Sequence, residues 1–194
     1  MKETHKTYQF ILVLNNVDEN TANLEDSLYE AGCDDALVNF RNGRVYLDFD
    51  RKAASLEEAV MSAIENVELS SIKATVASVA PDNIVTESEI AKRLNVKRQT
   101  VSLWIKGERR NTNPFPKPII KLLEKSPFWK WREVVEWLFQ SKLIEENEMA
   151  ENALFLETIN VVLEERDTQL KRSREYILKK YKKMQLQKEI RQHL

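Results

Sequence analysis

Histidine is almost missing from this chain: it occurs only at His5 and His193, near the two ends. General acid–base chemistry leans most often on that side chain, so a convergent catalytic set has little to draw on and no enzyme activity is expected. Cysteine is scarcer still. Cys33 alone excludes an internal disulfide and any Cys/His metal pattern, and a lone thiol suits a reducing, cytoplasmic setting. It stands at an expected helix end beside Asp34 and Asp35, whose charge would raise its pKa, so a structural thiol is expected. The three glycines form no phosphate loop of P-loop or dinucleotide-binding spacing and leave little room for long flexible loops. No run of about eighteen apolar residues is present to span a membrane. The start, MKETHKTYQF, lacks the charged head, apolar stretch and cleavage site of a secretory leader. No motif asks for a cofactor or a metal.

What is present is segregated charge. The net charge of −1 over 194 residues hides it. Residues 1–85 hold 7 cations and 15 anions, a net −8, and residues 133–165 hold 1 and 9, again −8. Between them Thr86 to Arg132 hold 12 cations and 4 anions, a net +8, and residues 166–194 hold 10 and 3, a net +7. A polyanion is attracted to the middle and the tail and repelled by the first third.

The middle also carries the most informative pattern, TESEIAKRLNVKRQTVSLWIK over residues 86–106. Thr86 and Glu89 make a capping box ahead of Ile90, Ala91 and Leu94, the inner face of a short helix. Ala91 is small where a second helix would cross, and Asn95 occupies the turn, where positive φ must be tolerated. Val96, Val101, Trp104 and Ile105 anchor the second helix. That leaves Lys97, Arg98, Gln99, Ser102 and Lys106 outward, groups that hydrogen-bond to phosphates and base edges. Arg98 and Gln99 are the candidate base readers, since Arg favours guanine and Gln adenine. Lys97, Ser102, Lys106, Arg109, Arg110 and Lys117 are candidates for phosphates.

After Gly107, an expected helix C-cap, the chain continues through Phe115-Pro116-Lys117-Pro118 to Phe128-Trp129-Lys130-Trp131. Pro114, Pro116 and Pro118 cannot donate ladder hydrogen bonds, so they fit an edge strand or its approach, as in a small wing. Val134, Trp137 and Leu138 then share one helical face that can close over it. The tryptophans read as core, with base stacking by Trp129 or Trp131 as the alternative.

From Ile84 to Leu138 the chain resembles the winged helix-turn-helix of MerR-type, AlpA-type and excisionase-type bacterial and phage DNA-binding proteins, with the helix pair, the FPKP strand and the Trp-containing helix in that order. The resemblance implies that Lys97 to Lys106 reads a major groove and that a wing from Arg109 to Lys125 reaches a flanking backbone or minor groove. Metal-sensing members carry a cysteine cluster near the C-terminus that this chain does not have.

The first unit has its own rhythm. Tyr8 to Leu14 reads as a strand, Asn20 to Gly32 as a helix with Leu24, Leu28 and Ala31 on one face, and Asn42-Gly43 as a hairpin turn between Ala36–Arg41 and Arg44–Asp50. That turn pairs Phe40 with Val45, Val38 with Leu47 and Ala36 with Phe49. A second helix from Ser55 to Val67, opened by Ser55 and Glu58, and a strand from Ile72 to Val79 complete a βαββαβ order. The expected fold is therefore α+β: a ferredoxin-like domain over 1–83, a winged helix-turn-helix domain over 84–144 and a long helical extension over 145–194. Outward Tyr46, Asp48 and Asp50 argue against an RNA platform. Asp34, Asp35, Asp48 and Asp50 read as a solvated acidic face, with a divalent-cation site as the alternative.

Met149, Leu156, Leu163, Leu170, Ile177 and Met184 recur every seven residues, as a coiled-coil seam requires, although Arg166 and Ser173 narrow it beyond Leu163. Firm packing is expected from Met149 to Leu163, in a dimer or against the winged domain; a monomeric helix with a charged tail is the alternative. Together these features point to a sequence-specific regulator of double-stranded DNA, a transcriptional repressor or phage-like factor, acting as a homodimer, with the first domain or the last helix as the place for a protein partner. The competing class is an adaptor or antitoxin-like protein whose helix-turn-helix is autoregulatory.

Overall fold

Alternation builds the first sheet. Along β1 (Lys6–Asn15), Tyr8, Phe10, Leu12 and Leu14 are buried and Gln9 is exposed, the period of two expected of a strand covered on one side. β2 (Ala36–Arg41) and β3 (Arg44–Ala53) flank Asn42 and Gly43, whose φ values of 52° and 72° are the positive pair that a tight hairpin turn needs. The register is the expected one, Phe40 opposite Val45, Val38 opposite Leu47 and Ala36 opposite Phe49. With β4 (Thr75–Ala80) the strands form one antiparallel sheet in the order β2-β3-β1-β4. Helix α1 (Leu24–Glu30) contributes Leu24 and Leu28 to its core, and α2 (Leu56–Leu69) contributes Ala59, Val60, Ala63, Ile64 and Val67. This computed structural model describes residues 5–109, 113–121, 126–145 and 147–192.

Two elements, α1 and β4, start later than expected. Helix α1 starts at Leu24 rather than Asn20 because Asn23 takes φ 54° and the Asp18 carboxylate accepts from the Asn20 amide at 2.9 Å. A local turn outcompetes the first helical turn there. β4 starts at Thr75 rather than Ile72 because Lys73 bends the chain with φ 55°. Cys33 is buried and its pKa is pushed up to about 11. The main cause is burial; Asp35 and Asp34 add less, and Arg51 opposes them. Arg51 itself is buried and grips both Asp35 oxygens at 2.9 and 2.8 Å, with a further bond to the Gly32 carbonyl at 2.7 Å. Asp35 is thus committed to an ion pair rather than to a solvated face.

A second core forms around β5 (Ile84–Val85), α3 (Glu87–Arg93), α4 (Arg98–Ile105), β6 (Trp129–Lys130) and α5 (Trp131–Gln140). The expected C-terminal extension divides at Glu165–Asp167 into α6 (Glu148–Glu164) and α7 (Thr168–Gln192). α6 is shared between the two cores: Ala153 is buried with the second, whereas Leu156, Ile159 and Leu163 are buried with the first. Its packing on the first sheet goes beyond the contact with the helix-turn-helix region that the sequence suggested. Asn160 fastens it there, accepting from the Val79 amide and donating to the Val79 carbonyl at 2.8 Å each. β4 is an edge strand, so this carboxamide occupies a ladder position that would otherwise be open. On the other side Glu157 accepts from Lys130 Nζ and Arg132 Nε, both at 2.8 Å. By contrast α7 leaves Leu170, Ile177, Tyr181 and Met184 exposed. Among the described residues no helix is long and apolar enough to cross a membrane.

The Glu157 clamp has a pH signature. Hydrogen bonds from Lys130, and then from Arg132, hold its carboxyl below the usual carboxylate value of 4.5, against the opposing effect of burial. A depressed folded pKa adds stability that is present above the unfolded value and lost as pH falls through the folded one. We expect Glu157→Gln to cost about 2 kcal/mol in urea unfolding at neutral pH, with the difference from the parent chain shrinking as pH drops below about 4.5. A difference that stays constant from pH 7 to 3 would exclude the clamp.

Candidate nucleic-acid interface

The helix pair is fixed from its ends inward. Thr86 Oγ1 accepts from the Glu89 amide at 3.3 Å while the Glu89 carboxylate accepts from the Thr86 amide at 2.6 Å, a complete capping box. α3 buries Ile90 and Ala91 and stops at Asn95, whose φ of 51° lets its amide reach the Lys92 carbonyl at 3.2 Å and the Val96 amide reach that of Ala91 at 3.0 Å. This is the left-handed helix stop normally given to glycine. α4 follows at once, buries Val101 and Trp104, and ends in the same kind of stop at Gly107, φ 71°. Trp104 meets Trp137 of α5 with ring centroids 5.6 Å apart. One side of α4 is therefore locked.

Its other side is open. Lys97, Arg98, Gln99 and Lys106 are exposed and Ser102 is half-buried. Arg109, also exposed, donates from Nη1 to Thr100 Oγ1 at 3.1 Å, which draws it back onto the first turn of α4. Lys97, Thr100, Arg109 and Ser141 line a depression of about 490 Å³ at that end. The Ser141 hydroxyl there is buried with no hydrogen-bond partner among the described residues. Val96, Trp104 and Leu143 complete the lining of this depression. Among the described residues Arg98 has one intramolecular partner, Glu87 at 3.4 Å, but its side chain is 64% exposed, so this pair is weak.

The segment after α4 is held by indoles. Trp137 Nε1 donates to the Asn113 carbonyl at 3.1 Å and Trp129 Nε1 to that of Pro116 at 3.0 Å, while Phe115 packs edge-on against both rings. Ile119 and Ile120 then pair with Phe128, and β6 pairs with β5 on its other edge. Lys117 is exposed on this anchored stretch. Arg110 lies outside the described residues, as does part of the expected wing, residues 122–125. All four tryptophans are buried, in keeping with the core reading and not with base stacking.

Not every cation of the +8 segment joins this surface. Lys130 and Arg132 are taken by Glu157, and Arg93 lies over the Trp131 ring and donates to the Asp82 carbonyl. The sequence reading missed Thr100 and Ser141, for which a hydroxyl in a polar stretch gives no signal. It also missed the Glu87 contact to Arg98, which depends on how the two helices cross.

The Asn95 stop sets the angle between α3 and α4. Asn95→Gly should leave stability within about 0.5 kcal/mol, whereas Asn95→Val should cost about 1–2 kcal/mol because a β-branched residue resists positive φ. Urea unfolding followed by tryptophan fluorescence reads both. Equal stability of the two variants would mean that this backbone conformation is not required.

No protein-family model matches the chain, and no curated protein or solved structure matches it either.

Proposed function

We propose that this protein is a sequence-specific regulator that binds double-stranded DNA, a transcriptional repressor or a phage-like regulatory factor, and not an enzyme. In this reading residues 84–144 act as a winged helix-turn-helix and the β-α-β-β-α-β unit before them is ferredoxin-like, since its sheet order and antiparallel pairings match that arrangement. A reducing cytoplasm is its setting. The observation that carries the proposal is the two-sidedness of α4: Val101 and Trp104 bind it to the core while Lys97, Arg98, Gln99 and Lys106 stand free of that core. An exposed, cationic and rigidly backed helix of this kind suits a major groove. Arg98 and Gln99 read bases, Lys97, Ser102, Lys106, Arg109 and Arg110 hold phosphates beside them, and Lys117 reaches the flanking backbone from the wing.

A protein partner is favoured by one separate observation, the exposed Leu170, Ile177, Tyr181 and Met184 of α7. We assign that face first to a second copy of this chain. An adaptor or antitoxin-like protein would instead offer it to a different protein.

Fluorescence anisotropy on a duplex selected from a random pool, against its scrambled counterpart, tests the DNA assignment. Arg98→Ala should lose about 1–3 kcal/mol on the selected duplex and little on the scrambled one. Lys106→Ala should weaken both alike and reduce the salt slope by about 1. Enrichment of no duplex from the pool would overturn the regulator reading. For the dimer, the full chain should have twice the solution mass of a monomer, and removal of residues 168–194 should halve it; a monomeric mass for the full chain ends that assignment.

A further inference from the structure

Where the first sheet meets the helix pair, the surface opens into a cleft of about 940 Å³. β1, α2, α3, α5 and α6 all contribute to its walls, so it exists only because α6 holds the two cores together. Pro81, Trp131 and Met149 give it an apolar lining, and an ion pair between Lys6 and Glu148 lies along it. Volume, position and lining are those of small-molecule sites, which favour domain junctions and add a few convergent polar groups to an apolar surface.

One of those polar groups is incomplete. Arg93, the last residue of α3, lies over the Trp131 ring at 5.0 Å and donates from Nη2 to the Asp82 carbonyl at 2.7 Å. Its Nη1 is buried and has no hydrogen-bond partner among the described residues. Burial lowers its pKa, against weaker support from Glu89 and Asp82. Of the nearby carboxylates Glu89 is committed to the Thr86 cap and Glu148 to Lys6, while Glu145, also on the cleft wall, makes no hydrogen bond to Arg93. A buried charged donor left unpaired is costly, and an added carboxylate would relieve that cost.

We propose that this cleft binds a small amphipathic organic acid, with its carboxylate on Arg93 and its apolar body along Trp131, Pro81 and Met149. A single carboxylate fits better than a phosphate dianion, because one guanidinium nitrogen is unspent and Glu145 and Glu148 both line the same cleft. The site touches the helix pair directly: Arg93 precedes the Asn95 stop that sets α4 by two residues. Any consequence for DNA rests on the preceding proposal, but binding in the cleft does not.

Octanoate, octanol and octylamine titrated into the full-length protein test this without DNA. The readouts are the thermal midpoint and displacement of anilinonaphthalene sulfonate. Octanoate should bind at least about tenfold more tightly than either of the others, the equivalent of one charge-assisted contact. Arg93→Gln should remove that advantage and leave octanol unchanged. Asn152→Trp, which fills the cleft from a half-buried position on α6, should abolish binding of octanoate while the circular dichroism spectrum is retained. Octanol binding as tightly as octanoate, no octanoate binding at all, or full binding in a folded Asn152→Trp variant would each overturn the proposal. The ligand comparison uses the parent chain, so it stands even if a variant fails to fold.

Discussion

One helix makes this a single structure rather than two. α6 enters the first core with Leu156, Ile159 and Leu163 and the second with Ala153, so neither core is complete without it. Apolar burial supplies the attraction but not the register, since dispersion and hydration are non-directional. Register comes from two polar fasteners three residues apart, Glu157 toward Lys130 and Arg132, and Asn160 toward the Val79 backbone. A slide of α6 by one turn would break both and strand a carboxylate and an edge-strand amide. The orientation of α4 relative to the first sheet follows from that lock.

What the residues revealed by themselves is what local chemistry decides. Asn42-Gly43 determines its own hairpin and, through it, three cross-strand pairs; Thr86 with Glu89 and Asn95 with Gly107 mark the ends of α3 and α4. Each depends on atoms within a few residues. The reading failed where a distant group chooses. Arg51 reads as one more polar residue of a strand until Asp35 and Gly32 close around it. The apolar residues of α6 suggest one seam because periodicity shows spacing and not the number of neighbours; a helix packed on two sides carries apolar residues on both. At the candidate interface the helix pair and its outward cations were legible, whereas the capture of Lys130 and Arg132 by Glu157 and the turn of Arg93 onto Trp131 were not.

Segmental charge therefore overstates the free positive surface. Among the described residues Lys130 and Arg132 are taken by Glu157, and Arg93 and Lys121 lie over the rings of Trp131 and Phe128. The five exposed candidates, Lys97, Arg98, Lys106, Arg109 and Lys117, lie on α4 and the chain that follows it. This is the more useful arrangement for recognition. Cations tied to Glu157 hold the scaffold, and only weakly held ones, such as Arg98 with Glu87 at 3.4 Å, would exchange an internal partner for an external one at little cost.

The division of the C-terminal region decides which part is left for association. The sevenfold apolar recurrence runs through both helices, but Leu156 and Leu163 are consumed inside the chain while Leu170, Ile177 and Met184 emerge exposed. A dimer of the proposed kind thus falls to α7, whose 25 residues span about 37 Å. Two copies of a segment of net +7 repel each other side by side. That repulsion is screened over about 10 Å at 0.1 M salt and is relieved by a polyanion lying between the arms. Association through α7 and binding to DNA would then reinforce each other, because the same phosphates that would attract α4 would neutralise charge that weakens, without preventing, the pairing of two α7 helices.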